Sequence, residues 1–570
     1  MAPSKLPCSP PKIKLSGLGD CCQPNKKDAF IDHVRDYHNF QLKVLAWAIQ
    51  NKVDTKCIER YIEKCDPVLL HAKLSNLVKV PGEPSFPILY FAVERNSPEL
   101  VSMLCKAGAD PSQDYDQDYD QFGFPAATMP IPLLAYAVMR AEYDMSDTTD
   151  SIVALIAKGA DPEDVPKDMW HEYLKAPLKD IARPIDIANF PHRWCAQEVR
   201  GTLCRNLTLL QRYILWKAER IAQPTAREKQ LAKVHGITPL FEAPYYMIGQ
   251  QQATEQVMDC VMDHYDFDKD KPMIMLFTGP SGHGKTELAQ GMGKLLSLDI
   301  FTVDCTSKQK ESDIFGPQAP YMGYEEGSSL NNHLVKMAGQ RTVIFLDEFD
   351  KTTDEVWRAM LLLFDSGSYR DRRENNKEVD GKHVIWILAA NFADEIIKKF
   401  WATHIKDKTD QEREKAPFRQ LRNSVKSSVK NTIGAPLTGR ITSVVLFLPF
   451  TEAEAAVVTY KFMREIRHKV RKPINTRSGD LKRHAFLNFV DDGKLASYLA
   501  KKEYEVDLGA RSLATAVAQD VRRVFRKTFD QHDSEVTDDM NEGPLENYEV
   551  RLANELEGMA LSWSVWAFGP

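Results

Sequence analysis

The sequence predicts a multi-domain chain: an α-helical repeat region, then an α/β domain with a parallel sheet, then a smaller α-helical or α+β domain. Three observations predict this order. Helical segments before residue 200 resemble one another, apolar strands between residues 241 and 450 end in polar residues, and apolar residues after 450 return to helical spacing. A chain of 570 residues is also too long for a single hydrophobic core.

These patterns divide the chain into six predicted segments. They are a disordered tail (1–28), helical repeats (29–200), a helical connector (201–240), the α/β domain (241–450), a C-terminal helical domain (451–540) and C-terminal strands or tail (541–570).

The composition limits the possible partners. With 43% hydrophobic and 27% charged residues, the chain is typical of a water-soluble globular protein, and no apolar run is long enough to cross a bilayer. The formal net charge of −6 gives no overall attraction to nucleic acids or anionic membranes. We therefore expect neither a nucleic acid nor a membrane as a partner.

The cysteines and the N-terminal tail bear on the compartment. Ten cysteines form no Cys-x-x-Cys pair and no cluster at zinc-ligand spacing, which favours a reducing compartment. Residues 1–28 are rich in Pro, Lys and Ser with a first acidic residue at Asp20, as in a weak transit peptide, but they contain no arginine and no amphipathic period. We expect a cytoplasmic protein, with the mitochondrion as the alternative.

The helical repeats have a recognisable internal pattern. The segment Pro87–Ala92 precedes Leu100–Pro111, and the segment Pro132–Ala137 precedes Ile152–Pro162, each pair ending in Gly-Ala-Asp-Pro. Both resemble ankyrin repeats, so the region is predicted to be an ankyrin-like solenoid that binds an unidentified protein partner. Residues 42–67 and 184–188 resemble degenerate flanking repeats.

The two copies lie further apart than one ankyrin period. We interpret residues 114–120 and 143–150 as loop insertions that account for the excess. The first of these is acidic, and a solvated loop and a site for a basic partner both remain open for it.

The centre of the α/β domain is a glycine-rich loop between an apolar strand, Met273–Thr278, and a helix. The loop matches the Walker A pattern G-x-x-x-x-G-K-[ST], whose backbone amides surround a polyphosphate. Lys285 would reach the β- and γ-phosphates of ATP, and the Thr286 hydroxyl would bind Mg²⁺. The predicted phosphate-binding residues are Gly279, Pro280, Ser281, Gly282, His283, Gly284, Lys285 and Thr286.

Two further strands of this domain end in polar residues. The strand that begins at Thr342 leads into Asp347 and Glu348, the Walker B arrangement. Asp347 would complete the Mg²⁺ site, and Glu348 would deprotonate the attacking water. A third strand, starting at Val384, leads to Asn391, which we expect to hold the same water.

After Pro449 the sequence is predicted to be helical to about Phe529, with its clearest helices at residues 452–467 and 512–525. Residues 548–552 and 561–566 are predicted to be edge strands.

Taken in order, these motifs resemble the second ATPase module of ClpB-type AAA+ chaperones over residues 245–530, about half of the chain. The matching segments are Ile248–Gln250, Gly279–Ala289, Tyr321–Gly327, Leu346–Glu348, Asn391, Gly439–Ile441 and Gly509–Arg511. Ankyrin repeats ahead of one such module resemble the mitochondrial, ankyrin-containing branch of that family in animals.

The resemblance implies roles that the residues alone do not. Ile248 and Gly249 would line the adenine pocket. Arg440 would be an arginine finger that reaches the γ-phosphate of a neighbouring subunit, and Arg511 would contact the phosphates of its own subunit. A finger that acts between subunits implies a homo-oligomer, and the family implies a hexameric ring. Without the resemblance, either arginine would be interpreted as part of a surface ion pair.

The segment Tyr321, Met322, Gly323 and Tyr324 resembles the pore loop of these ATPases. There Tyr321 could grip an unfolded polypeptide whatever its sequence. The alternative is an aromatic ring buried under its own loop. Pro320 stands where the family has glycine and would stiffen the loop.

Together these features predict an ATP-dependent protein unfoldase or disaggregase that threads unfolded or aggregated polypeptides through a ring. The alternatives are a nucleotide-gated ankyrin scaffold or signalling ATPase, and a regulatory ATPase for a peptidase. The last is weakened because no Ile-Gly-Phe/Leu docking loop lies between Asn391 and Arg440. The chain also has no second phosphate loop.

Overall fold

The computed structural model describes residues 9–13, 40–81, 83–114, 130–144, 146–178, 194–267, 270–318, 321–373, 377–479, 485–530, 535–542, 546–552 and 561–566. The chain divides into two compact units. The first consists of Met1–Ile221, Arg464–Leu495 and Phe525–Pro570, and the second of Ala222–Met463 and Ala496–Val524. Among the described residues, no helix combines the length and apolar character that crossing a membrane requires.

The N-terminal part of the first unit is helical, as predicted. Its described helices are α1 (Leu42–Gln50), α2 (Thr55–Glu63), α3 (Pro67–Leu74), α4 (Ile88–Glu94), α5 (Pro98–Lys106), α6 (Leu133–Asp144), α7 (Thr149–Ala157), α8 (Gln197–Asn206) and α9 (Leu209–Arg220). Each predicted repeat is a helical pair, α4 with α5 and α6 with α7, and the helices of each pair pack together.

One predicted insertion in this region is wrong at both ends. Residues 143–150 were expected to form a loop, but α6 continues to Asp144 and α7 begins at Thr149. The Asp147 carboxylate accepts a hydrogen bond from the Thr149 amide at 3.0 Å, which favours the start of α7. The other proposed insertion at residues 115–120, the flanking repeat at 184–188 and Pro320 lie outside the described residues.

The second unit is an α/β domain. Its strands are β1 (Met273–Thr278), β2 (Ile300–Asp304), β3 (Thr342–Asp347), β4 (Ser368–Arg370), β5 (Glu378–Asp380), β6 (Val384–Ala390) and β7 (Ser443–Leu446). Its helices up to residue 450 are α10 (Ala226–His235), α11 (Ala243–Tyr246), α12 (Gln251–Phe267), α13 (Lys285–Leu296), α14 (Glu311–Phe315), α15 (Ser329–Lys336), α16 (Asp354–Ser366), α17 (Asp394–His404), α18 (Asp410–Glu414) and α19 (Phe418–Thr438).

Five of these strands form one parallel sheet in the order β2-β3-β6-β1-β7, which confirms the predicted parallel sheet. Alternate residues of β1 face opposite sides: Ile274 and Leu276 belong to one apolar core, and Met275 and Phe277 belong to the other. Both faces of a parallel sheet need such a cover, so the central strands β1, β3 and β6 are apolar along most of their length. Strands β4 and β5 form an antiparallel hairpin between α16 and β6.

The C-terminal part of the chain departs from a purely helical prediction. It contains α20 (Glu452–Arg471), β8 (Ala485–Phe489), α21 (Asp492–Glu503), α22 (Ala510–Ala516), a π-helical turn (Val517–Arg522), α23 (Arg523–Asp530), β9 (Glu546–Leu552) and β10 (Leu561–Trp566). Strand β8 lies within the stretch that was expected to be helical. Its residues alternate between buried and half-buried, which is the period of a strand and not of a helix. It pairs in parallel with β9, which pairs in antiparallel fashion with β10.

Short 3₁₀ helices complete the described secondary structure. They are Pro162–Asp164, Lys167–Met169, Thr238–Glu242, Phe349–Lys351, Thr476–Ser478 and Asp538–Glu542.

Candidate nucleotide-binding and hydrolysis site

The candidate site lies at the carboxyl ends of β3, β6 and β1, which are three consecutive strands of the parallel sheet. The phosphate loop follows β1, Asn391 follows β6, and Asp347 ends β3 with Glu348 after it. Because the carboxyl ends of parallel strands meet at one edge of a sheet, the three motifs share that edge.

The phosphate loop has the backbone conformation that its glycines permit. Gly279 and Gly282 have φ angles of 147° and 75°. A Cβ atom on Gly279 would lie 2.2 Å from the Phe447 carbonyl oxygen, so no larger residue fits there. Helix α13 begins at Lys285, directly after the loop, and its N-terminus favours a bound anion.

Lys285 connects the phosphate loop with the end of β6. Its ammonium group donates hydrogen bonds to Asn391 Oδ1 at 2.8 Å, to the Pro280 carbonyl oxygen at 3.0 Å and to the Gly279 carbonyl oxygen. Burial lowers the pKa of Lys285 to about 8, although nearby carboxylates, Asp394 foremost, act in the opposite direction. The group therefore carries its charge at neutral pH.

The catalytic candidates Glu348 and Asn391 are brought together. The Asn391 amide nitrogen lies 3.5 Å from Glu348 Oε2, while its amide oxygen binds Lys285. Glu348 has a φ of 53°, a left-handed conformation that is strained for a residue with a side chain. That turn directs the chain away from β3 immediately after Asp347.

The metal-site candidates Thr286 and Asp347 are also adjacent. The Thr286 hydroxyl donates to Asp347 Oδ2 at 3.3 Å. A hydroxyl and a carboxylate side by side are oxygen ligands of the kind that Mg²⁺ prefers, and they stand next to a phosphate loop that could supply the remaining oxygens through a nucleotide. The residues therefore fit a Mg²⁺–nucleotide complex.

The adenine-pocket candidates border the C-terminal part of the unit. Gly249 has a φ of 63°, and a Cβ atom there would lie 3.1 Å from the Glu454 carboxyl group. Ile248 beside it is half-buried. Gln250, the next residue, holds the backbone of Leu448 with two hydrogen bonds, of 2.7 and 3.1 Å, which explains a glutamine in this motif.

The two arginine candidates differ. Arg511 Nη1 donates to Ser281 Oγ in the phosphate loop at 3.2 Å, so it belongs to the site. Arg440 does not: it donates to the Pro436 carbonyl oxygen at 2.7 Å and forms an ion pair with Asp365 at 3.2 Å.

The predicted pore loop is anchored at its ends and exposed at its tip. Tyr321 and Met322 are 71% and 98% exposed, so the alternative of a buried Tyr321 is wrong. Gly323 follows in a left-handed turn, and the Tyr324 hydroxyl bonds to the neighbouring Glu325.

The loop stem is held by the β4–β5 hairpin. Arg372 in the hairpin donates to the Gly316 carbonyl oxygen at 3.0 Å and pairs with Glu311. The fully buried Asn331 donates to Asp371 at 2.9 Å and accepts from the Tyr369 hydroxyl at 2.5 Å. None of these supports stands in a recognisable motif, so the sequence did not single them out.

His283 is placed differently from the other loop residues. Its side chain is fully buried and lies against the rings of Phe450 and Tyr504, so any contact with a phosphate would come from its backbone.

Two acidic residues near Lys285, Asp350 and Asp394, were also not predicted. Burial raises the pKa of Asp394 to about 6.

Comparison with known proteins agrees with this geometry. Residues 270–444 match the family described as "AAA domain (Cdc48 subfamily)". The segment contains β1, β3 and β6 and every candidate from Gly279 to Arg440, and it excludes Ile248, Gly249 and Arg511. Residues 270–444 are thus similar in sequence to AAA domains.

Curated proteins that resemble about half of this chain include ClpB chaperones and mitochondrial disaggregases. The chaperone protein ClpB of Clostridium tetani is 27% identical over 276 residues, which is 47% of this chain and 29% of that protein. The mitochondrial disaggregase of Bos taurus is 26% identical over 315 residues, 50% of this chain and 44% of that protein, and the Homo sapiens protein is also 26% identical. The chain thus spans less than half of the length of these relatives.

Solved structures of Hsp104 also show similarity. A closed-state reconstruction with ATPγS and FITC-casein is 19% identical with a TM-score of 0.43, covering 76% of this chain and 63% of that one. A Saccharomyces cerevisiae Hsp104–casein complex in an extended conformation has 19% sequence identity and a TM-score of 0.44, and the match covers 64% of this chain and 61% of that chain.

Proposed function

We propose that this protein binds ATP with Mg²⁺ and hydrolyses the ATP in order to remodel other proteins. The observation that carries the proposal is the cluster of Lys285, Asn391 and Glu348 at one edge of the sheet, with Thr286 and Asp347 beside it. These are the groups that positioning and electrostatic stabilisation of phosphoryl transfer require.

The roles of the residues follow from their charges. Lys285 would neutralise phosphate oxygens with an ammonium group that stays protonated at neutral pH, and Arg511 would add a second positive charge. Glu348 would accept a proton from the attacking water, which Asn391 would orient. Thr286 and Asp347 would hold Mg²⁺, which supplies further neutralisation of the phosphate charge.

The substrate class that we propose is unfolded or aggregated polypeptide. The similar proteins are named chaperones and disaggregases, and the similar Hsp104 structures contain casein. In this chain, an exposed Tyr321 and an almost wholly exposed Met322 on an anchored loop suit the gripping of an extended chain. A scaffold or signalling switch has no use for such a loop, so the observation favours the remodelling enzyme.

The assembly and the compartment complete the proposal. Arg440 lies apart from its own site, which supports a finger that serves a neighbouring copy in a homo-oligomer, for which we propose a hexameric ring. We propose that the ankyrin-like helical pairs bind a protein partner. Similar proteins are named mitochondrial disaggregases, so we favour the mitochondrion over the cytoplasm that the sequence suggested.

The test uses unfolded casein and ATP hydrolysis. Tyr321→Ala should keep the basal hydrolysis rate and lose its stimulation by casein, because the aromatic grip is removed far from the chemistry. Phe267→Ala is the matched control, since Phe267 is 76% exposed but lies outside the loop. Equal stimulation in the Tyr321→Ala and control variants would contradict threading by this loop, and a wild-type protein without hydrolysis would contradict the ATPase itself.

A further inference from the structure

The phosphate loop is in direct contact with a segment near residue 510 of the same unit. The Ala510 amide donates a hydrogen bond to the Gly282 carbonyl oxygen at 2.9 Å. A Cβ atom on Gly282 would lie 2.1 Å from the Leu508 carbonyl oxygen, and one on Gly509 would lie 2.6 Å from the Gly282 carbonyl oxygen. The two backbones therefore touch at a pair of glycines, and Arg511 follows directly.

His283 makes a second link between the same two segments. Its ring is fully buried, with its centroid 5.0 Å from that of Phe450. Its Nε2 lies 3.0 Å from the Tyr504 hydroxyl, and its Nδ1 lies 3.3 Å from the Pro280 carbonyl oxygen. The histidine thus has a partner on each side, one in the loop and one 221 residues later.

The hydrogen-bond partners determine which nitrogen carries the proton. The Tyr504 oxygen already accepts a bond from the Phe450 amide at 2.9 Å, so its own proton is available to His283 Nε2. Nε2 is then the acceptor, and Nδ1–H donates to Pro280. Burial lowers the pKa of His283 to about 4, which agrees with this neutral ring.

The Pro280 carbonyl oxygen also accepts a bond from the Lys285 ammonium group, at 3.0 Å. A continuous series of hydrogen bonds therefore runs from the Phe450 amide through Tyr504, His283 and Pro280 to Lys285. Each member is held by the next, so a shift of Tyr504 alters the carbonyl group on which Lys285 rests.

We propose that His283 is a positioning residue that couples the segment carrying Tyr504 and Arg511 to the phosphate loop, so that Lys285 and Arg511 engage the nucleotide phosphates together. The inference rests on the proposed function, because it concerns the same nucleotide site. The positioning role belongs to the His283 side chain, whereas phosphate binding would use the backbone amides of the loop.

The experiment measures the binding of MANT-ATP and the kcat and KM of ATP hydrolysis. His283→Val puts a smaller apolar side chain in place of the imidazole and so breaks the series, and Tyr504→Phe removes one hydroxyl while keeping the ring. Each should raise the Kd for MANT-ATP and the KM for ATP by about threefold to tenfold, the effect of one net hydrogen bond, with a smaller change in kcat. Tyr498→Phe, the same change six residues earlier and within α21, should alter neither constant.

Two combinations separate positioning from packing. The double variant His283→Val/Tyr504→Phe should bind no more weakly than His283→Val alone, because both changes break the same series. Arg511→Ala should weaken MANT-ATP binding less in the His283→Val background than in the wild type. Additive effects in both combinations, or unchanged constants in Tyr504→Phe, would overturn the coupling.

MANT-ATP binding by the wild-type protein tests the proposed function separately from the coupling through His283. If the wild-type protein binds MANT-ATP and the Tyr504→Phe variant binds equally well, the coupling is wrong and the proposed function stands. If the wild type binds no MANT-ATP, both fall.

Discussion

Asp147 is the residue whose surroundings differ most from what its sequence context suggests. Within the first unit, His468 lies 2.9 Å from its carboxylate, and Arg464 pairs with it. Burial by itself would raise the pKa of Asp147, but the hydrogen bond from His468 and the charge of Arg464 hold the pKa below its usual range. A residue expected in a loop insertion instead has a largely buried side chain with two basic partners.

These contacts of Asp147 predict a pH-dependent loss of stability. Because the folded-state pKa is depressed, the contribution of the charged carboxylate is present above the unfolded-state pKa near 4 and declines as the pH falls below it. Asp147→Asn should cost about 3 kcal/mol of stability at pH 7, as expected for breaking a buried ion pair, and less at pH 3.

Thermal unfolding at both pH values measures this difference. Asp150→Asn is the control, since Asp150 contacts the same Arg464 at 3.1 Å but its side chain is 66% exposed, and it should cost much less. Equal effects of the two substitutions would show that burial does not matter here.

At the scale of elements, the β4–β5 hairpin holds the stem of the exposed loop, and the hairpin is itself held by one buried side-chain amide, that of Asn331. Asn331 has an exposed fraction of 0% and serves Asp371, the Tyr369 hydroxyl and the Arg372 amide. Asn331→Ala would leave buried polar groups without partners, at a cost of about 1–3 kcal/mol.

Hydrogen exchange tests that expectation. The amides of β4 and β5 should exchange faster in Asn331→Ala. Asn332→Ala removes a bond to the Glu326 carbonyl oxygen at 3.0 Å and a longer bond from the Asn331 amide at 3.4 Å, but it keeps the bonds between Asn331 and the hairpin, so it should leave these amides slow. Unchanged exchange in Asn331→Ala would place the support of the hairpin elsewhere.

The elements also show what could be predicted from sequence. Strands β1, β3 and β6 were predictable because each is an apolar run of strand length that leads into a polar motif. The gathering of Lys285, Glu348 and Asn391 then follows from parallel pairing. The direction of His283 was not predictable, because it depends on Tyr504 far along the chain, and strand β8 was missed because its partner β9 is distant.

At the scale of the whole molecule, the position of Arg440 tests the proposed assembly. The Arg440→Ala and Glu348→Gln variants should each be nearly inactive in ATP hydrolysis. Mixed in equal amounts they should regain about a quarter of the wild-type rate, because an Arg440→Ala pocket next to a Glu348→Gln subunit receives an intact arginine. A mixture that stays inactive under conditions where subunits exchange would contradict a finger acting between copies.

The anchored loop between Gly316 and Gly327 has a mechanical consequence. Tension applied at Tyr321 or Met322 would pass into the stem, where Arg372 holds Gly316, and from there into the hairpin. In the proposed threading, side chains that do not touch the polypeptide would bear this load, and the force that the loop can transmit would depend on how firmly the stem is held.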